Sequence, residues 1–246
     1  DANGDYNTAG NWLGGNIPGA GGVFTMGESY GLSAGRTINL ASGLPPTLSG
    51  LTYNTAFFNT FDATLSITAQ SGVNFNLNVI SFAGITPALF GNGALINGAI
   101  SGTPTAFVKT GSGTITLNAS NTFIAPVQIN AGELRITTGD AALGNAANTV
   151  SLDGGVLRIS AAALTSGRTF TIGSGGGTIR TFVASTLNGT LTGTGTLTKE
   201  INTSLTINGD GTSFTGAVNN FSGGIVLGGA LGSLGGLAAF DNSSVL

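Results

Sequence analysis

Chemistry in a protein chain starts with the groups that can move protons, attack or ligate, and in this 246-residue chain those groups are few. Histidine and cysteine are absent, which removes imidazole general bases, thiol nucleophiles, the histidine-dependent triads and the usual zinc ligands. The acids are Asp1, Asp5, Glu28, Asp62, Glu133, Asp140, Asp153, Glu200, Asp210 and Asp241, with no D-x-D or adjacent pair among them. Glycoside hydrolysis needs two carboxylates on one face about 5 to 9.5 Å apart. Only Glu133 and Asp153 are spaced to fall on neighbouring turns of a repeating fold, and Arg135 and Arg158 lie beside them in sequence. They read as solvated, outward charges partly neutralised by arginine. The stretch "NGDGTS" at Asn208–Ser213 offers a single carboxylate, Asp210, and reads as a glycine-rich turn rather than a Ca²⁺ site. "GSGGGT" from Gly173 is followed by neither Gly-Lys-Ser/Thr nor a helix, so it reads as a corner and not a phosphate loop. No residue is assigned a catalytic, cofactor-binding or metal-binding role, and no glycosidase or lyase activity is expected.

The elements that would position such groups are clearest from Phe107 to Ile136, "FVKTGSGTITLNASNTFIAPVQINAGELRI". Ile115 and Leu117 alternate with Thr114 and Thr116, Val127 and Ile129 with Gln128 and Asn130, and Leu134 and Ile136 with Glu133 and Arg135. This is strand periodicity three times over, with Gly111, Gly113 and Gly132 at the turns. The signatures "GELRI", "GVLRI" and "GTIRT" begin at Gly132, Gly155 and Gly177, a period of about 22 residues that means a solenoid. The register places Leu134, Leu157 and Ile179 inward, and Arg135, Arg158 and Arg180 outward on one face. At about 4.8 Å per rung, 246 residues predict about eleven rungs and a rod on the order of 50 Å long.

Composition agrees with an all-β rod. Charged residues are 7%, hydrophobic residues 41%, and 43 residues are glycine. Neither low hydrophobicity nor high net charge points to disorder. A net charge of −3 with seven lysines plus arginines leaves no footprint for nucleic acid or an anionic membrane. There is no run of about 18 apolar residues and no basic-apolar leader, so no membrane insertion is expected and any export signal would already be removed. The lack of cysteine fits an exported protein that needs no disulfide.

Along the chain, residues 1–35 read as an N-terminal cap closed by Trp12, Ile17, Pro18, Val23 and Phe24, and residues 36–246 as repeats continuous with it in one elongated domain. Phe57, Phe58, Phe61, Phe75 and Phe82 supply aromatic bulk to the first half. "DAALGNAANTV" from Asp140 has helix formers but is cut by Gly144 and Asn145, and reads as a corner loop. Later, Leu205 to Ile207 answers Ile115 to Leu117, Phe214 answers Phe123, and Gly224 to Leu227 loosely answers Gly132 to Ile136. Threonines pair as Thr114 with Thr116 and Thr169 with Thr171, and recur at every second position from Thr190 to Thr198, as on ice-binding solenoids, but at no constant register. "GGLAAFDNSSVL" at the end carries neither a charge cluster nor a proline, so the last rung is expected to be covered by further sequence or by another subunit.

The segments Val108–Ile136, Asp140–Ile159 and Arg168–Ile179 closely resemble the autotransporter-associated, or passenger-associated, β-strand repeat, and the opening from Gly4 resembles the start of such passengers. The resemblance implies a right-handed parallel β-helix at or beyond a bacterial surface, and a scaffold repeat with no catalytic residue to carry over. Two classes follow. One is a non-enzymatic structural or adhesive scaffold whose partners are itself, end to end or laterally, or a host or matrix surface. The other is a carbohydrate-binding or polysaccharide-degrading β-helix.

Overall fold

The computed structural model describes residues 99–228 with their side chains, except 101, 102, 104 and 112, together with the backbone of strands outside that stretch. The chain is a β-solenoid. Among the described residues every paired strand is parallel to its neighbours, and the strands form two eight-stranded and two four-stranded sheets. Sheet I joins Gly4–Asp5, Thr37–Asn39, Ser66–Ala69 and Ile100–Gly102. Sheet II runs Val23–Met26, Gly50–Thr55, Asn74–Val79, Ala106–Thr110, Val127–Ile129, Val150–Leu152, Phe170–Ile172 and Leu191–Gly193. Sheet III runs Gly93–Ile96, Thr114–Leu117, Glu133–Ile136, Val156–Ile159, Gly177–Thr181, Leu197–Glu200, Ala217–Asn220 and Ala239–Asn242. Sheet IV joins Thr165–Ser166, Ser185–Leu187, Leu205–Ile207 and Ile225–Leu227.

The expected register holds. Leu134 stacks on Leu157 and Leu157 on Ile179, while Arg135 stacks on Arg158 and Arg158 on Arg180. Ile115, Leu134, Leu157 and Ile179 are fully buried, as are Phe107, Val150, Phe170 and Leu191 in the facing column of sheet II. The alternation is what drives this: a strand shifted by one residue would carry its leucines to solvent and its arginines into the core.

Among the described residues the stack falls short of the eleven rungs expected. The two main sheets have eight strands each, because the early coils are longer: Gly50 lies over Val23, Leu51 under Phe75, and Phe75 under Phe107. Of the cap, only Gly4–Asp5 and Val23–Met26 belong to the described residues, and these pair with Thr37–Asn39 and Gly50–Thr55. The roles expected of Trp12, Pro18, Phe57, Phe58, Phe61 and Phe82, and of the C-terminal edge beyond Asn242, lie outside the described residues.

Between sheets I and IV the third side of the solenoid has no regular strand, and side chains take over the hydrogen bonding. The segment from Asp140 is a corner that opens with a short 3-10 turn, Gly139–Leu143. Buried Asn121 accepts from the Ile100 amide and donates to the Ala142 carbonyl. Buried Asn148 accepts from the Ala125 amide and donates to the Phe123 and Leu143 carbonyls. Arg168, 3% exposed, holds the Asp140 carboxylate with Nε at 2.8 Å and Nη2 at 3.0 Å, and also reaches the carbonyls of Gly144 and Asn145. The carbonyls of Phe123, Ala142, Leu143, Gly144 and Asn145 thereby find donors.

The second copy of the repeat is real but rotated. Ile115 lies in sheet III and its counterpart Leu205 in sheet IV, so the copy sits whole coils plus one side further on. Its first corner differs in one respect. Gly111 has φ +70°, and the residue ninety positions on is Ile201, with φ +75°. A β-branched side chain in that region costs about 1–2 kcal/mol.

Two stability outcomes follow. Leu157→Ala should destabilise by about 2–5 kcal/mol through lost burial and the cavity left behind, while Thr171→Ala on the outer side of sheet II should stay within about 0.5 kcal/mol. Both are read from urea midpoints. Ile201→Asn, which suits the left-handed region without the entropy of glycine, should raise the midpoint, and Gly111→Ile should lower it.

Candidate functional site

The charged side chains gather on the outer side of sheet III. One outward column runs Thr116, Arg135, Arg158, Arg180 and Glu200, one residue per strand. The adjacent column runs Thr114, Glu133, Val156, Thr178 and Thr198. Glu133 is 8% exposed, because the long guanidinium side chains fold over it. Its Oε2 accepts from Arg180 Nη1 at 2.8 Å and its Oε1 from Arg158 Nη1 at 3.4 Å. Arg180 Nε donates to Glu200 Oε2 at 2.6 Å, so one guanidinium bridges two carboxylates. Arg158 also lies over the Phe182 ring, 4.3 Å from its centroid. Arg135 donates from Nε to Ser160 Oγ at 2.8 Å.

This geometry corrects the reading of the two acids. Glu133 is not a solvated charge, and its partners are Arg158 and Arg180 rather than Arg135. Asp153 is not beside it. It occupies an exposed corner, where its Oδ1 accepts from the Gly175 amide at 2.6 Å. The structure therefore brings no acid pair together there, and the "GSGGGT" glycines form the corner that Asp153 fastens. Asp210 closes its own turn by accepting from the Thr212 amide at 2.9 Å, which holds its carboxyl below the usual range. Among the described residues no group of three acids is placed to hold a metal ion. The threonines from Thr190 to Thr198 turn a corner between sheets II and III instead of forming a flat ladder. A constant row, Thr165, Thr186 and Thr206, lies on sheet IV and ends at Val226.

Two lysines that look like surface charges are fully buried: Lys109 and Lys199. Each occupies an inward position, Lys109 under Ile129 and Lys199 over Ile179. Lys109 Nζ donates to Thr110 O at 2.6 Å and Gly111 O at 2.9 Å in its own corner, and to Ala131 O at 3.0 Å in the next. Lys199 Nζ repeats this with Glu200 O, Ile201 O and Ser222 O at 2.8, 2.6 and 3.1 Å. Each ammonium thus clips two successive corners. Gly132, φ +62°, completes the first clip, because a Cβ there would strike the Gly111 and Gly113 carbonyls and come within 2.7 Å of Lys109 Nζ.

Residues 107–136 match the passenger-associated-transport-repeat family. That stretch is a repeat of the autotransporter-passenger kind, one unit of the chain. Over 129 residues, 48% of its length, the chain is 35% identical to the adhesin BmaC autotransporter of Brucella suis biovar 1 (strain 1330). That stretch amounts to 4% of the relative's length, so this chain corresponds to a small part of such a protein. No solved structure matches the chain. In structural terms the matched passenger repeat is two stacked corners between sheets II and III, held by the Lys109 clip and filled by Phe107 stacked on Phe123, ring centroids 5.1 Å apart.

Sequence reasoning missed the clips. The signal available was a lysine at an inward position of the alternation "AFVKT", repeated ninety residues later in "LTKEI" ahead of the same turn and strand.

Burial pushes both ammoniums down from 10.5 to about 8, with Glu133 opposing the shift at Lys109 and Glu200 at Lys199. The folded chain therefore releases these protons near pH 8, while the unfolded chain keeps them to about 10.5. More protons on the unfolded state means that stability gains from this source as pH rises through that window. Lys109→Met should cost about 1–3 kcal/mol by leaving three corner carbonyls without their donor. It should also remove part of the pH 8 to 10.5 dependence, as read from urea midpoints at both ends.

Proposed function

We propose that this chain is a length-giving segment of a bacterial surface or secreted adhesin-like protein, working as a non-enzymatic scaffold. The observation that carries the reading is the parallel stack in which, among the described residues, the acids and lysines are consumed by the fold: Glu133 and Glu200 in ion pairs, Asp140 on Arg168, Asp153 and Asp210 in corners, and Lys109 and Lys199 on carbonyls. A hydrolase needs carboxylates held apart and open to substrate, one of them free to give a proton. Here the buried carboxylate is locked between two guanidiniums. The passenger repeat and the adhesin relative support the extracellular setting.

On this reading residues 1–35 and 36–246 form one elongated unit, and sheet ends left unpaired are covered by adjoining sequence or by a second copy. Parallel strands at about 4.8 Å per rung turn added coils directly into reach, which suits a stalk that holds a binding surface away from a cell.

Small-angle scattering of the purified chain should give a rod profile, and electron microscopy at rising concentration should show end-to-end rods. Compact spherical particles would contradict the length-giving role. Incubation with a panel of polysaccharides should release neither reducing ends nor unsaturated uronides. Release that disappears in Glu133→Gln would make the chain an enzyme and overturn the scaffold reading.

A further inference from the structure

The distribution of positive charge singles out one surface. The seven cationic side chains are Arg36, Lys109, Arg135, Arg158, Arg168, Arg180 and Lys199. Arg36 lies outside the described residues, and Lys109, Lys199 and Arg168 are buried. The remaining three are Arg135, Arg158 and Arg180, on consecutive strands in one outward column. Among the described residues, all accessible positive charge of the solenoid therefore lies on a single line along its axis.

That line is only partly neutralised. Glu133 and Glu200 supply two carboxylates against three guanidiniums, and both are engaged by Arg180. Arg158 keeps a 3.4 Å contact to Glu133, and its Nε is buried without an acceptor. Arg135 spends only its Nε, on Ser160, and its two terminal nitrogens have no acceptor among the described residues. A guanidinium offers five donors in a planar fork, so the Arg135–Arg158 end of the ladder has donors to spare while the Arg180 end is satisfied.

Aromatic surface adjoins these donors. Phe182, 42% exposed, carries the Arg158 guanidinium on its ring. Phe221, 53% exposed, follows Glu200 along the same column, one strand beyond, as the next residue after the Lys199–Asn220 pair. An exposed phenylalanine beside a stacked arginine offers apolar surface at which a pyranose ring can lie while its acid group meets the fork.

We propose that the Arg135–Arg158–Phe182 surface of sheet III binds an acidic polysaccharide, a polymer bearing a carboxylate or sulfate on successive sugars, laid along the solenoid axis. The strand spacing repeats the guanidinium every rung, about 4.8 Å, so a polymer parallel to the axis meets like donors in succession. Such a polymer supplies acceptors to the terminal nitrogens of Arg135 and of Arg158, whose side chain is 30% exposed. This deepens the scaffold reading and rests on it, by naming the chemical class of what the surface holds.

The test uses the 246-residue chain with fluorescently labelled polygalacturonate, heparin and neutral dextran, followed by anisotropy at 50 and 300 mM NaCl. Binding to polygalacturonate or heparin but not to dextran, weakened by salt, is expected. Arg135→Ala should weaken it about tenfold or more, Arg135→Lys should restore part of the loss, and Gln128→Ala on sheet II should leave it unchanged. Circular dichroism and scattering on each variant separate the two levels of the argument. A rod with native β-signal that binds none of the acidic polymers overturns the ligand surface and leaves the scaffold standing, whereas loss of the rod profile in the unmodified chain strikes the scaffold itself. Equal binding by the unmodified chain and Arg135→Ala overturns the proposal. So does binding confined to vesicles of anionic phospholipid, which would assign the ladder to a membrane surface. Should Arg135→Ala fail to fold, Phe182→Ala and the salt dependence of the unmodified chain decide the same question.

Discussion

The interaction on which this molecule depends is the axial row of backbone hydrogen bonds from each rung to the next. Because these bonds are parallel and in register, the side chain at any position sits directly over its counterpart one coil earlier, and the sequence is free to choose only what each column contains. An inward column of Ile115, Leu134, Leu157 and Ile179 is the simple solution. The same constraint explains why Lys199, directly above Ile179, cannot escape to solvent and must find acceptors inside. It finds them in the corner carbonyls, which the ladder leaves unpaired wherever the chain turns.

Corners, more than strands, then distinguish one rung from another. Each corner must reverse the chain within a few residues and still satisfy its amides and carbonyls. Three devices recur: a residue with positive φ, as at Gly111, Gly132 and Gly154; a carboxylate or amide reaching one rung along, as with Asp153 and Asn148; and a buried cation, as with Lys109, Lys199 and Arg168. Since the device is local to a corner, it does not matter which two sheets the corner joins. The Lys109 unit lies between sheets II and III and its copy at Lys199 between sheets III and IV, with the same three carbonyl contacts. The repeated motif is thus a turn-and-strand unit and not a whole coil.

Most of the fold was legible in the residues because alternation and register are one-dimensional properties. Three glycine-led signatures at a constant period placed Leu134, Leu157 and Ile179 inside and their arginine neighbours outside, and the pairing agrees. The rung count was not legible, since the early coils have no such period and take more residues between paired strands. The site was half legible. The arginine column could be read, but the partners of Glu133 could not, because a long guanidinium reaches across two rungs to a neighbouring column. Nor could the buried lysines, because composition counts a lysine as surface charge, and only the corner's need for donors explains its burial.

The charge ladder shows how a chain with 7% charged residues can still stack like charges. Two cations at about one strand spacing repel by roughly 1 kcal/mol in water and about 4 kcal/mol near a protein surface. Arg158 against Arg180, and Arg135 against Arg158, would therefore oppose the hydrogen bonds that set them over one another. Glu133 offsets this at the middle of the column by drawing Arg158 and Arg180 to one carboxylate, and Glu200 ends the column by occupying the position above Arg180 with the opposite charge. Among the described residues no acid pairs with Arg135: its neighbour below is Thr116, and its own bond is to a neutral hydroxyl. The repulsion is thus relieved from one end only, and the uncompensated positive charge settles at Arg135, on the exposed side of a sheet whose backbone has no freedom to move it elsewhere.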